Sequence, residues 1–200
     1  MPRTTEQFEE MRREREDSIL NAALYLFASK GYEQTTAEAI RAVVNCSHGL
    51  LYHYFKTKED LYIAVIERKV RPIVTNLVKD VNRNQKAKFV FADITDNFLS
   101  ALRNENDEYA WSIALLLDIH LQTVIYPKMK YIEKDRKVFD WVHEIIERGK
   151  AEGDFNDLSS KELVLSILAL YKGLSYNRIK IGHNKFLCPK TEIIMNMVLK

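Results

Sequence analysis

Apolar residues recur along this chain at intervals of three and four, the spacing that places them on one face of an α-helix. Similar periods cover most of the 200 residues, and no segment shows the alternation of a convincing strand. The first strong period consists of Ile19, Ala22, Ala23, Leu26 and Phe27. Gly31 then provides a natural C-terminal stop. The pattern predicts an all-α fold.

Composition supports this fold class and indicates the compartment. The chain has only 6 Gly and 4 Pro, while 46% of its residues are hydrophobic and 29% charged, which favours a packed helical protein over a disordered one. Residues 1–16 lack the apolar core of a signal peptide, and no apolar run approaches the roughly 20 residues of a membrane span. Cys46 and Cys188 fit neither a disulfide framework nor a metal-site spacing. We therefore expect a cytoplasmic protein with no membrane association.

The net charge of +2 does not by itself indicate a nucleic-acid ligand. The distribution of charge is more informative, because residues 39–58 contain no acidic residue. A local basic stripe of this kind suits contact with DNA. Its members are Arg41, His48, His53, Lys56 and Lys58.

Residues able to cap helices divide residues 35–60 into short segments. Thr35 or Thr36 can cap a second helix, with Glu38 completing a capping box from Thr35. Ser47 can cap a third helix and Thr57 a fourth. Three short helices near the N-terminus, the third rich in polar and aromatic residues, predict a helix-turn-helix that enters the major groove of DNA.

The N-terminal segments resemble the TetR family of bacterial transcriptional regulators. The matching segments are ILNAALYLF at 19–27, Gly31-Tyr32, Thr35-Thr36, Ile40 and SHGLLYHYFKTKEDL at 47–61. The sequence IIERGKAEGDF at 145–155 is similar to the C-terminal half of many members. The resemblance implies a homodimer that binds a palindromic operator in double-stranded DNA. It also implies a helix-turn-helix DNA-binding domain at 1–60, linked by a long fourth helix to a helical effector-binding and dimerisation domain at 61–200.

Carried over by position, the resemblance implies eight residues that face DNA. Hydroxyl, amide and ammonium groups can bind phosphate, imidazoles can donate to base or phosphate acceptors, and a leucine can contact a thymine methyl group. Arg41 stands where the family commonly has Ala, and either contacts phosphate or points to solvent. The eight residues are Thr36, His48, Gly49, Leu50, Tyr52, His53, Tyr54 and Lys58.

Two local departures concern the turn and the fourth helix. The turn between the second and third helices has Val44-Asn45-Cys46 where the family has a small-Gly-apolar step, and we expect Asn45 to adopt the left-handed conformation that Gly would supply. Pro72 lies inside the apolar stripe that follows Leu61, so we expect a kink or break near residues 68–71. This irregularity suggests a pivot between the two halves of the chain.

Aromatic residues are frequent after residue 85, where either core packing or a ligand pocket explains them. An apolar cavity between helices with a few polar groups is the usual form of a ligand site. The residues expected to line an effector pocket are Phe98, Leu102, Trp111, Leu115, Ile119, His120, Tyr126, Trp141 and Tyr171.

The last two predicted helices, which begin near Ser159 and Pro189, carry apolar stripes suited to a two-fold four-helix interface. Such a dimer suits two recognition helices that must reach major grooves about 34 Å apart or a multiple of it. The expected interface residues are Leu163, Ile167, Leu170, Gly173, Leu174, Ile193, Ile194, Met197 and Val198.

Motifs for catalysis or metal binding are poor in this sequence. His143 and Glu147 share a helical face, but the second His of a zinc-protease motif is absent. We therefore predict a protein that is not an enzyme and has no metal or cofactor.

The function that follows is a transcriptional repressor released from its operator by a small-molecule effector of unknown identity. The alternative is a helix-turn-helix DNA-binding protein controlled by a protein partner, with no small-molecule pocket.

Overall fold

The computed structural model describes residues 4–79, 81–122 and 136–200, and the predicted all-α fold is confirmed in these ranges. No strand occurs among them beyond one isolated antiparallel bridge between Phe155 and Leu199. None of the described helices is long and apolar enough to cross a membrane. The α-helices are α1 (Thr5–Lys30), α2 (Ala37–Val44), α3 (His48–Tyr54), α4 (Lys58–Val65), α5 (Arg71–Lys79), α6 (Ala87–Arg103), α7 (Asp107–Gln122), α8 (Arg136–Ala151), α9 (Ser160–Ile181) and α10 (Thr191–Met195).

Side-chain caps set the starts of the first four helices. Ser47 and Thr57 cap α3 and α4 as expected, each accepting a hydrogen bond from a backbone N–H in the first turn. Thr36 caps α2, whereas the capping box predicted from Thr35 to Glu38 is not formed. Thr35 is instead fully buried, and its hydroxyl donates to the carbonyl of Leu26 at 3.1 Å. Thr36 therefore caps the exposed start of α2, while Thr35 binds the end of α1 in the core.

The predicted irregularity near Pro72 is a single π-helical turn at Ile66–Val70. It joins α4 to α5 without interrupting the helical path. Because Pro72 has no N–H, an α-helical bond to the carbonyl four residues earlier is impossible, and a wider turn accommodates this loss. Within the turn, the carbonyl of Lys69 accepts a hydrogen bond from Ser112 of α7 at 3.4 Å.

Buried residues form two hydrophobic cores. The N-terminal core joins α1 to α4, the π-helical turn and part of α7, and includes Phe27, Ile40 and Leu51. The C-terminal core joins α6, α7, α8, α9 and α10. Helix α7 belongs to both, because Ala114 and Leu115 pack in the first core while neighbouring residues of the helix pack in the second. The two halves of the chain are therefore connected by a helix that they share.

Arg178 of α9 connects three helices of the C-terminal half. Its side chain is 1% exposed, and its guanidinium donates to the carbonyls of Leu102 and Asn104 at 3.1 Å each. Asp107 lies 2.7 Å from the same group and balances its charge. These bonds satisfy carbonyls at the C-terminal end of α6 that the helix leaves without a partner.

The chain after α9 departs from the predicted last helix. Pro189 precedes α10, which covers only Thr191–Met195, so Val198 lies beyond the helix. Val198 is nevertheless fully buried, because the terminal segment turns back and Asn156 donates to the carbonyl of Val198 at 2.8 Å.

Gly149 lies directly against the ring of Phe155. A Cβ atom at this position would overlap the ring of Phe155, which is fully buried against Phe91. We predict that Gly149→Ala lowers the free energy of unfolding by about 1–3 kcal/mol, because the extra methyl group overpacks the core. Denaturant unfolding measures this change.

Gly49→Ala is the matched control, since a Cβ there meets nothing within 4 Å. We expect it to leave stability unchanged or slightly higher, given the better helix propensity of Ala. Equal stability of the two variants would contradict the assigned role of Gly149.

Candidate nucleic-acid interface

Helices α2 and α3 form a helix-turn-helix whose turn depends on Asn45. This residue has φ 52° and ψ 57°, and it has the one positive φ of a non-glycine residue in the described part of the chain. The left-handed conformation predicted for it is thus confirmed. The N–H of Cys46 donates to the carbonyl of Arg41, which closes the end of α2 before α3 begins.

The inner face of the helix-turn-helix packs on α1 and α4. Ile40 is fully buried, and Leu51 and Phe55 are 3% and 6% exposed. Leu51 in α3 and Phe55 at its C-cap lie four residues apart, on the same side of the helix. Their burial therefore fixes the rotation of α3 about its own axis. The opposite face of α3 is consequently turned to solvent.

The eight residues expected to face DNA differ in exposure. Thr36, His48, Gly49 and His53 are exposed, whereas Leu50, Tyr52, Tyr54 and Lys58 are half-buried. The His48 and Tyr52 rings are neighbours, with centroids 4.5 Å apart. They offer imidazole and phenol donors on one side of a helix.

Arg41 joins this group although the sequence left its role open. One terminal guanidinium nitrogen lies 3.5 Å from Nδ1 of His48. Its Nε atom is buried without a hydrogen-bond partner among the described residues. Arg41 and His48 are seven residues apart, on either side of the turn that brings the end of α2 beside the start of α3. This spacing is the feature of the sequence that could have indicated their contact.

The side chains of Tyr54 and Lys58 donate hydrogen bonds to backbone carbonyls far away in the sequence. The Tyr54 hydroxyl donates to the carbonyl of Arg12 at 3.4 Å, which links α3 to the N-terminal part of α1. The Lys58 ammonium donates to the carbonyl of Tyr32 at 3.0 Å and lies 4.2 Å from the centroid of the Tyr32 ring. If Lys58 binds a DNA phosphate, its ammonium must therefore give up its contacts with Tyr32.

The residues expected to line an effector pocket do not meet in one cavity of the described chain. Phe98 and Tyr171 stack at 4.0 Å between ring centroids, and the Tyr171 hydroxyl is 2.8 Å from Oγ1 of Thr95. Burial raises the pKa of Tyr171 to about 12, so the phenol is neutral at physiological pH. Leu102 is fully buried in the same core. Phe98, Leu102 and Tyr171 are therefore packed in the hydrophobic core.

The other members of the expected pocket are dispersed. Trp111 packs on Tyr25 of α1 at 5.2 Å, and Leu115 belongs to the N-terminal core. Trp141 is covered by the guanidinium of Arg83 at 4.5 Å from its ring centroid. Tyr126 and the side chains of Ile119 and His120 lie outside the described residues. Because α7 is shared by both cores, its helical period alone did not indicate which core each side chain enters.

Burial corrects the expected dimer interface. Four of the nine expected residues are 6% exposed or less and pack in the C-terminal core of their own chain. These four are Leu163, Ile167, Ile194 and Val198. Leu170 and Leu174 are half-buried against that core, while Gly173, Ile193 and Met197 are exposed. A second stripe faces solvent on α9 and consists of Leu165, Ala169, Gly173 and Tyr176. Both stripes have helical spacing, so their separation required the packed structure.

Clusters of metal-ligating residues are absent from the part of the chain that the structure describes. Glu147, which shares a helical face with His143, has its pKa lowered chiefly by a hydrogen bond from Ser160.

Comparison with known proteins agrees with this geometry. The family model described as bacterial regulatory proteins of the tetR family matches residues 19–65, from the apolar face of α1 to the end of α4. The fatty acid metabolism regulator protein of Bacillus subtilis (strain 168) is 27% identical over 89 residues, covering 44% of this chain and 46% of that protein. The transcriptional regulator QacR of Staphylococcus aureus is 26% identical over 151 residues, covering 72% of this chain and 76% of that protein.

Solved structures extend the likeness of fold beyond the matched segment. The ketosteroid transcriptional regulator KstR2 of Mycobacterium tuberculosis superimposes with a TM-score of 0.66 at 18% identity, covering 93% of this chain and 95% of that one. Residues 19–65, which include the helix-turn-helix, thus match the model of the tetR family of bacterial regulatory proteins, and the solved structure shares the overall fold.

Proposed function

We propose that this chain is a homodimeric repressor that binds a palindromic operator and is released by a small-molecule effector. The observation that carries the proposal is the outer face of α3, where His48, Gly49 and His53 are exposed on a helix fixed by its buried side. A short, firmly held helix with polar donors suits the major groove of DNA. Because its ligand is bacterial DNA, the protein acts in the cytoplasm.

The eight DNA-facing residues divide into two roles. Thr36 and the free amides at the start of α2 bind phosphate, as do Lys58 and the tyrosine hydroxyls, and these contacts orient the dimer. His48 and His53 donate to base edges, Leu50 contacts a thymine methyl group, and Gly49 allows close approach of the backbone.

The dimer forms through the exposed faces of the C-terminal half. The outward stripe of α9 contains the apolar side chains of Leu165 and Tyr176, which are 56% and 45% exposed. Gly173 between them permits close approach of a second helix. Ile193 and Met197 are further exposed apolar side chains of the C-terminal half. A two-fold axis through this surface produces the symmetry that a palindromic operator requires.

We assign residues 1–60 to DNA binding and residues 61–200 to effector binding and dimerisation. Communication between them runs through the π-helical turn, where Lys69 lies 2.6 Å from Asp17 of α1 and 3.8 Å from Glu108 of α7. An effector that binds the C-terminal half and shifts this turn changes the separation of the two α3 helices. It needs to favour the non-binding arrangement by only a few kcal/mol.

Control by a protein partner is the second candidate function. The stacking of Phe98 on Tyr171 favours it, because a filled core needs no small molecule. A small molecule that releases operator DNA from the purified protein would support the first function and contradict the second.

Selection of random duplex DNA on the purified protein tests the proposal. We expect a palindrome whose binding weakens steeply with salt, because counterions return to the phosphates as protein dissociates. Recovery of no enriched sequence would contradict it.

His48 and Lys58 should differ in what they contribute. We predict that His48→Ala weakens binding to the selected operator by about 1–3 kcal/mol and relaxes preference at one base position. Lys58→Met should weaken binding to all sequences alike and reduce the salt dependence. Competition against single-base operator variants measures both effects, and a uniform loss in His48→Ala would make His48 a phosphate contact.

Pro72 should matter for effector response. Pro72→Ala restores an N–H to the helix and removes the cause of the π-helical turn, so we predict a changed effector concentration for operator release. Pro189→Ala, at a proline outside the helices, is the control. If Pro72→Ala leaves both the operator affinity and the effector response unchanged, the irregularity at Pro72 is not a pivot between the two halves.

A further inference from the structure

A surface groove of about 630 Å³ lies between α1, α2 and α7. This volume is in the range of small-molecule sites. It is separate from the C-terminal residues expected to line an effector pocket, apart from Trp111. The lining residues are Glu14, Asp17, Ser18, Asn21, Ala22, Tyr25, Val43, Val44 and Trp111.

The groove follows α1 and is therefore elongated. Glu14, Ser18, Ala22 and Tyr25 succeed one another at intervals of four and three residues, which places them along one face of the helix. Eleven residues separate the first from the last, a rise of about 16 Å at 1.5 Å per residue. A ligand that contacts both ends must be a long molecule.

One end of the groove is acidic. Asp17 is paired with Lys69, whose ammonium lies 2.6 Å from its carboxylate. Glu14 has no ion pair among the described residues, so its carboxylate leaves this end with a net negative charge. Nearby, Oδ1 of Asn21 is buried without a hydrogen-bond partner in the described part of the chain. Both groups are acceptors, and they suit a ligand with positive charge or N–H donors.

The other end of the groove is apolar and aromatic. The rings of Tyr25 and Trp111 are 5.2 Å apart, and Tyr25 remains 39% exposed. Val43 is 55% exposed on the α2 wall. Covering these side chains with hydrocarbon removes apolar surface from water, which favours binding.

We propose that this groove binds an elongated amphiphilic organic cation. Its ammonium lies at the Glu14 end, and its hydrocarbon part covers Val43, Tyr25 and Trp111. The acidic end disfavours anionic amphiphiles of the same length. The proposal is based on the groove alone and applies whether or not the C-terminal half holds an effector.

An occupant of this groove contacts helices of both halves. Helix α2 belongs to the helix-turn-helix, while α7 is part of both cores. A bound cation would therefore restrain α2 against α7 and alter operator affinity. This regulatory consequence depends on the proposed function, whereas cation binding does not.

The test uses two probes with the same alkyl chain and opposite charge, decyltrimethylammonium and decanesulfonate, below their micelle concentrations. Calorimetric titration of the full chain without DNA should give saturable binding of the cation and at least about tenfold weaker binding of the anion, given the charge reversal at a partly exposed site. In a Trp141→Phe background, the cation should also change the fluorescence of Trp111.

Three variants locate the site. Glu14→Gln should weaken cation binding by about three- to tenfold through loss of an exposed charge, and Val43→Lys should abolish it by placing an ammonium group in the groove. Glu10→Gln removes an exposed carboxylate of α1 outside the groove and should change nothing. Circular dichroism checks that each variant is folded, and if Val43→Lys unfolds, the comparison of Glu14→Gln with Glu10→Gln decides.

Equal affinity for the two probes, or cation binding that Glu14→Gln leaves unchanged, would overturn the proposal. A lower oligomeric state of Val43→Lys by light scattering would also overturn it, because the groove would then be a contact between two copies of the chain. Because these titrations contain no DNA, failure of operator binding leaves their outcome unaffected.

Discussion

The burial of one face of the helix-turn-helix against α1 is the interaction on which the rest of the structure depends. Ile40, Leu51 and Phe55 enter the same core as the apolar face of α1, so the turn at Asn45 and the outward face of α3 are fixed together. Burial of these apolar side chains stabilises a helix that is too short to be stable alone in water. Without this packing, α3 would be too short to present any fixed surface to DNA.

The same core also connects the N-terminal helices to the rest of the molecule. Ala114 and Leu115 of α7 pack within it, and Lys69 in the π-helical turn is placed between acidic residues of α1 and α7. A displacement of the turn must therefore disturb either buried packing or ion pairs. Close-packed cores change between discrete arrangements rather than deforming continuously, which suits the proposed change between two operator affinities.

Local chemistry made the N-terminal half predictable from sequence. Helix period, the Ser47 and Thr57 caps and the left-handed Asn45 are decided by residues near in the chain, and the irregularity before Pro72 follows from a missing N–H. The choice between Thr35 and Thr36 as cap was not decided locally, since the burial of Thr35 depends on α1.

Properties of the C-terminal half depend on which helix faces which, and the periodicity of apolar residues does not indicate this. Helix α9 has two apolar stripes of the same period, and only packing separates the buried Ile167 from the exposed Leu165. Phe98 and Tyr171 are suitable pocket residues by type, but they stack on each other. The groove beside α1 is lined by residues nearly 100 positions apart in the sequence, so no local sequence motif indicates it.

In the proposed complex, two copies of α3 contact major grooves on one side of the duplex. Inserting base pairs between the half-sites of the selected operator tests this arrangement. An insertion of about five base pairs, half a helical turn, rotates one half-site to the opposite side of DNA. We expect this insertion to abolish binding of the dimer to both half-sites. Undiminished affinity after the insertion would contradict it.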